Sequence, residues 1–282
     1  MRPGSPGDLS MKLSSRLLGA FCAASLLLAT GLKAQLQSFS GYDAYTLGPA
    51  DDSSSDPVSL GFTATLWGHH YSQVWVNNNG NVTFDGAFDD PLTSFVPTGL
   101  SSLGRVIVAP FFSDVDTTAP ESGLVTFGTG LLGGRAAFAA NWFNVEPFFE
   151  LPVFNSFQMI LVDRSDTGAG NFDISFNYGS IAWEGGQATG SDEFGLGGIA
   201  ARVGLSDGTD AHTLELPGSG VNGALLDSNL FTGLRYSNPG VDFAVRNGMA
   251  VPVPEPSSYA LAAGTLLAAL AAARRLRFSR RR

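Results

Sequence analysis

Short runs of alternating, β-branched and aromatic residues, each cut off by Gly, Asn, Asp or Pro, fill the middle of this chain. They occupy 72–76, 81–84, 105–108, 124–127, 136–139, 156–162 and 171–178. Alternation puts successive side chains on opposite faces of an extended strand, and the breakers supply hairpins and loops. Asn79-Gly80 is the sharpest turn signal and predicts a type I′ turn, which needs positive φ at both central positions. Between the termini no segment joins helical periodicity to caps. The expected fold is therefore all-β: a β-sandwich of short antiparallel strands, flanked by an N-terminal signal helix and a C-terminal hydrophobic helix.

Both ends read as targeting segments. Lys12 and Arg16 precede an apolar run from Leu17 to Thr30, and small residues allow a cut after Ala34, the pattern of a secretory signal peptide. Either Met1 or Met11 serves as the start. Cys22, the one cysteine, lies inside that run. The exported part thus has no thiol for a disulfide, a metal site or a nucleophile.

At the other end Val253-Pro254-Glu255-Pro256 leads into an uncharged apolar stretch, 259–273. Arg274, Arg275, Arg277, Arg280, Arg281 and Arg282 follow. The stretch is shorter than the roughly 20 residues of a comfortable span. It suffices to hold the chain transiently in an inner membrane with the arginines on the cytoplasmic side. In this order the three parts resemble the PEP-CTERM sorting signal of Gram-negative bacteria. The resemblance implies removal of the tail by an exosortase-type processing enzyme and delivery to the cell surface or extracellular matrix.

The expected organisation is a signal and leader, 1–34, an extension, 35–57, a sandwich domain, 58–248, a Pro-rich linker, 249–256, and a sorting tail, 257–282. The whole chain carries a formal charge of −9. Residues 35–256 keep six arginines against 24 acidic residues, a charge near −18. Such a surface repels nucleic acid and anionic lipid, and divalent cations are its natural counterions.

A second set of motifs spans the strands. Leu60-Gly61-Phe62, Leu66-Trp67-Gly68 and Val74-Trp75-Val76-Asn77-Asn78-Asn79-Gly80-Asn81 come first. Val108-Ala109-Pro110-Phe111-Phe112-Ser113-Asp114-Val115-Asp116, Asn155-Ser156-Phe157-Gln158 and Ile174-Ser175-Phe176-Asn177-Tyr178 follow, with Trp183 and Ser237-Asn238-Pro239-Gly240 after them. Their order and spacing over about 58–246 resemble the extracellular NIDO domain of nidogen, tectorin and some mucins. The resemblance implies a structural or adhesive role in an extracellular matrix, with exopolysaccharide or other matrix proteins as partners and no enzymatic activity.

Read from chemistry alone, Asp114 and Asp116 fall on one side of an extended segment, about 7 Å apart. Two such carboxylates can share a calcium ion with loop carbonyls, or each can cap a turn by accepting backbone N–H bonds. Asp85, Asp89 and Asp90 are weaker candidates of the same kind. Trp75, Trp142 and Trp183 sit in strand-like stretches where burial is the ordinary use. The surplus aromatics Trp142, Phe143, Phe148 and Phe149 mark the place where a binding surface is expected if the domain has one.

Enzyme signatures fail. Gly204-Leu205-Ser206-Asp207-Gly208 fits G-x-S-x-G, but Asp210 and His212 follow too closely for a nucleophile elbow, and a turn between strands is the expected reading. His69 and His70 are adjacent, so on a strand they face opposite ways. The alternative to a structural protein is a carbohydrate-binding or carbohydrate-active protein working on exopolysaccharide.

Overall fold

The computed structural model describes residues 35–88, 98–148, 152–237 and 242–253. In chain order its strands are β1 (Tyr45–Thr46), β2 (Val58–Leu66), β3 (His69–Asn77), β4 (Asn81–Thr83) and β5 (Ile107–Phe112). Then come β6 (Val115–Asp116), β7 (Val125–Leu132), β8 (Arg135–Pro147), β9 (Asn155–Asp163) and β10 (Phe172–Ser180). The series ends with β11 (Arg202–Ser206), β12 (Leu214–Glu215), β13 (Phe243–Arg246) and β14 (Met249–Pro252).

They form two antiparallel sheets. One runs β1-β7-β8-β9-β10-β13-β14, with β6 paired to β8 beyond its bulge; the other runs β12-β11-β5-β4-β3-β2. Helix among the described residues is confined to short 3-10 turns and the four-residue Leu234–Ser237. The all-β expectation holds, and one apolar core lies between the two sheets. Leu60, Val74, Val76, Val108 and Phe111 from one sheet meet Phe138, Trp142, Phe157, Leu161 and Phe176 from the other. Phe111 stands 5.2 Å from Phe157, ring centre to ring centre, and Trp142 stacks on Phe157 at 5.3 Å, so aromatic contact bridges the layers. Burying such side chains contributes roughly 1.5–3 kcal/mol each.

The hairpins β2–β3, β7–β8 and β13–β14 close on two-residue turns, Trp67-Gly68, Gly133-Gly134 and Asn247-Gly248. All six residues have positive φ, the type I′ geometry that matches strand twist. The turn at Asn79-Gly80 departs from that expectation. Asn77 pairs with Asn81, leaving three residues in the loop, and of these Gly80 alone turns left-handed, at φ 72°. The third residue supplies the reversal that a two-residue turn obtains from two positive φ values. A Cβ at Gly80 would also overlap the Phe111 carbonyl oxygen, so glycine is required on both counts.

Pro110 lies inside β5, where it has no N–H to give the ladder. A bulge in β5 itself absorbs this: the β5–β11 register shifts between Arg202 and Gly204, where Pro110 and Phe111 together lie opposite Val203. The outer face of the larger sheet is covered as well. Phe39 and Tyr42 pack on Ala137, Ala139 and Ile160. Gln37 exchanges hydrogen bonds with Gln158, its N–H donating to Oε1 and its carbonyl accepting from Nε2. The stretch 35–57, expected as an extension, therefore supplies β1 and a covering layer, and the stretch expected as a linker supplies β14.

Pro254, Glu255, Pro256 and the six tail arginines lie outside the described residues, as do the expected signal helix and C-terminal hydrophobic helix. Among the described residues no helix is long and apolar enough to cross a membrane.

Candidate functional site

Three separate sequence segments converge at one end of β3 and β5. The Asn77-Asn78-Asn79-Gly80-Asn81 hairpin forms the floor, and its asparagines are buried. Asn77 Nδ2 donates to Asn81 Oδ1 at 2.7 Å and to Thr83 Oγ1 at 3.1 Å, so the side chains repeat the pairing of the backbone. Trp142 Nε1 donates to the carbonyls of Asn77 and Asn78, fixing the floor to the opposite sheet.

The second segment is the break between β5 and β6, where Ser113 and Asp114 leave one sheet and β6 joins the other. Val115 N–H donates to Asn79 Oδ1 at 2.8 Å, and Asn78 Nδ2 donates to the Val115 carbonyl. The third is the loop before β2. There Asn78 Nδ2 donates to the Asp51 carbonyl, and Asn79 Nδ2 donates to Asp52 Oδ1 at 2.7 Å. Thr117 and Ala50 tie the same loop down through Thr117 N–H to the Ala50 carbonyl and Ala50 N–H to Thr117 Oγ1.

This folding brings Asp51, Asp52 and Asp114 together. One carboxylate oxygen from each lies within 4.8 Å of the other two. Asp114 is 2% exposed, Asp51 is half-buried and Asp52 is exposed, so the group opens to solvent on the Asp52 side. Asp114 Oδ2 and Asp51 Oδ1 are buried and accept no hydrogen bond. Gly186 packs against Asp114 Oδ2 so closely that a Cβ there would strike it.

Burial, and then the negative charges of Asp51, Asp52 and Asp116, push Asp114 up to about 8. Burial, with Asp52 and Asp116 nearby, pushes Asp51 up to about 6. Asp52 is raised too, by burial against the opposing hydrogen bond from Asn79. The sequence pairs Asp114 with Asp116. In the fold Asp116 Oδ1 accepts from Thr118 N–H at 2.8 Å and from Thr118 Oγ1 at 2.6 Å, a turn cap, while Asp114 joins Asp51 and Asp52. Nothing local in the sequence marks Asp51-Asp52, because more than sixty residues separate that pair from Asp114.

The chain matches the family described as NIDO related over residues 32–232. It belongs to that family. Among its relatives, this NIDO-related chain is 30% identical over 201 residues to alpha-tectorin of Gallus gallus, covering 60% of the chain and 9% of that protein. It is 32% identical over 192 residues to alpha-tectorin of Homo sapiens, covering 60% and 8%. To nidogen of Drosophila melanogaster it is 26% identical over 246 residues, covering 74% and 17%. The chain thus spans less than a fifth of the length of each of these relatives. No solved structure matches it significantly.

Of the aromatics expected to mark a binding surface in the NIDO-related domain, Trp142 does not reach solvent. Trp142 is fully buried between the sheets, because its alternation on β8 points it into the core and its indole N–H finds buried carbonyls there. Phe143 and Phe148 are half-buried, and Phe149 lies outside the described residues. Phe148 contributes backbone instead: its N–H donates to the Asp114 carbonyl at 2.9 Å and its carbonyl accepts from Gln187 N–H at 2.7 Å. Trp183 is buried, whereas Trp75 is half-buried.

The G-x-S-x-G segment forms the end of β11 and the turn after it. Ser206 Oγ lies 2.6 Å from Thr213 Oγ1 and accepts from Gly208 N–H. Asp207 accepts from His212, whose ring stacks on Trp67 at 5.7 Å. His69 and His70 are exposed, and His70 Nδ1 pairs with Thr65 Oγ1 at 2.8 Å. Among the described residues the Asp51, Asp52 and Asp114 group is the one cluster with metal-ligand spacing.

Proposed function

We propose that this protein is an exported, non-enzymatic structural or adhesion component of the cell surface or extracellular matrix, sorted by its PEP-CTERM-like tail. The observation that carries this reading is the family membership over 32–232, since a NIDO domain implies a matrix and cell-adhesion role. The Val253-Pro254-Glu255-Pro256 motif, the apolar stretch and the arginine cluster support sorting. The partners would be an exosortase-type enzyme during export, and exopolysaccharide or other matrix proteins afterwards. A charge near −18 across 35–256 suits a soluble, hydrated matrix and disfavours nucleic acid.

The test is fractionation with intact mass measurement in the producing cells. A C-terminus near Pro256, with the protein in the surface or matrix fraction, is the expected result. Deleting 257–282 should abolish that delivery and leave the domain folded. Unchanged delivery of the deletion variant would refute the sorting reading.

A further inference from the structure

We propose that Asp51, Asp52 and Asp114 form a calcium-binding site that fastens the loop before β2 onto the β3–β4 hairpin and the β5–β6 break. The three carboxylate oxygens lie within 4.8 Å of one another, so a small inward adjustment of the side chains brings all three to the roughly 2.4 Å of a calcium–oxygen contact. Asp114, 2% exposed, contributes one of these oxygens, and its buried Oδ2 has no hydrogen-bond partner; neither has the buried Oδ1 of Asp51. Buried acceptors are almost always satisfied, and an ionised, unpaired carboxylate held from water costs several kcal/mol.

Among the described residues every arginine is engaged elsewhere. Residues 35–253 contain no lysine and six arginines. Arg105 pairs with Asp85, Arg135 and Arg164 with Asp166, Arg164 and Arg246 with Asp173, Arg202 with Glu215, and Arg235 with Asp227. The hairpin asparagines donate to Asp52 Oδ1 and to the backbone carbonyls of Asp51 and Val115, so their amides hold one carboxylate and the two loop backbones in place without neutralising the charge.

The donor set selects the ion. With oxygen donors alone, and no imidazole or thiolate, it suits a hard cation rather than zinc. Three carboxylates from two loops form an irregular, solvent-open half-shell. Calcium accepts that geometry with waters filling the rest, whereas magnesium demands a regular octahedron and parts with its water reluctantly. An exported domain without disulfides gains a staple this way, at the millimolar calcium of extracellular settings. The proposal does not depend on the matrix reading.

The full-length chain, purified in mild detergent and stripped with EDTA, is melted with added CaCl₂, with MgCl₂, and with NaCl at matched ionic strength. Calcium at about a hundred times its dissociation constant should raise Tm saturably by about 5–10 °C. Magnesium should do so by less than half as much, and NaCl should have no specific effect. Asp114→Asn keeps the shape and removes the buried charge. It should melt at or above the stripped wild type and lose the calcium response. Asp52→Asn, at the exposed edge, should fold normally and shift the calcium midpoint at least tenfold. Equal stabilisation by NaCl, no calcium response in the wild type, or a full response in Asp52→Asn would each overturn the site.

Discussion

Replacing Trp142 with alanine separates a core role from a surface role most sharply. The side chain is fully buried, stacks on Phe157 at 5.3 Å, and donates its indole N–H to Asn78 O at 3.0 Å and Asn77 O at 3.3 Å. Truncating a buried aromatic to alanine costs about 3–5 kcal/mol through lost transfer energy and the cavity left behind. In a domain of this size each kcal/mol lowers Tm by about 2–4 °C, so Trp142→Ala should melt about 6–20 °C below wild type. Trp142→Phe keeps a ring against Phe157 but removes the indole donor from the Asn77 and Asn78 carbonyls, the latter still accepting from Gly80 N–H, and should cost about 0.5–1.5 kcal/mol. Phe143→Ala, half-buried on the same strand, should lower Tm by less than half of the Trp142→Ala shift. Thermal unfolding followed by near-ultraviolet circular dichroism measures all three. A Trp142→Ala protein melting within about 2 °C of wild type would refute the argument, because no buried indole joining two sheets can be removed so cheaply.

Two further outcomes follow from other parts of the fold. Asn155 Oδ1 accepts from Ala182 N–H at 2.7 Å and Trp183 N–H at 3.2 Å, and Nδ2 donates to the Trp183 carbonyl at 2.9 Å. Asn155→Ala leaves these groups unpaired and should cost about 2–4 kcal/mol in urea unfolding, whereas a cost under 0.5 kcal/mol would show that the backbone there finds other partners. Hydrogen bonds from Arg135 and Arg164 hold Asp166 down to about 2. A folded pKa below the unfolded value means that its stabilising contribution is present above about pH 4 and is lost as pH falls through 2. The urea midpoint of Asp166→Asn should therefore lie below wild type at pH 7 and converge with it near pH 2; a gap that persists at pH 2 would place the effect outside this ion pair.

The sheet assignment was legible because alternation is a local property. Runs such as 156–162 and 171–178 show their inward face in the order of their own residues, and they became β9 and β10. The Asn79-Gly80 turn was legible as a turn but not as a type. Loop length, set where Asn77 meets Asn81, decided between a two-residue and a three-residue reversal. Trp142 shows the same limit: its alternation was visible, but which face of β8 met the second sheet was not.

The candidate site divides in the same way. The sequence by itself determined the export-like ends, the acid-rich and lysine-free body, and the family motifs from Asn77 to Gly80 and from Val108 to Asp116. It also put Asp114 forward, since a carboxylate after an apolar strand must either cap or bind. Only the tertiary structure took Asp116 into a Thr118 cap and brought Asp51 and Asp52 to Asp114 across the four intervening strands β2 to β5. The physical reason is range: strand alternation and turn chemistry act over a few residues. A carboxylate's partners are fixed by which loops the closed sandwich presses together, and by which arginines are already committed elsewhere.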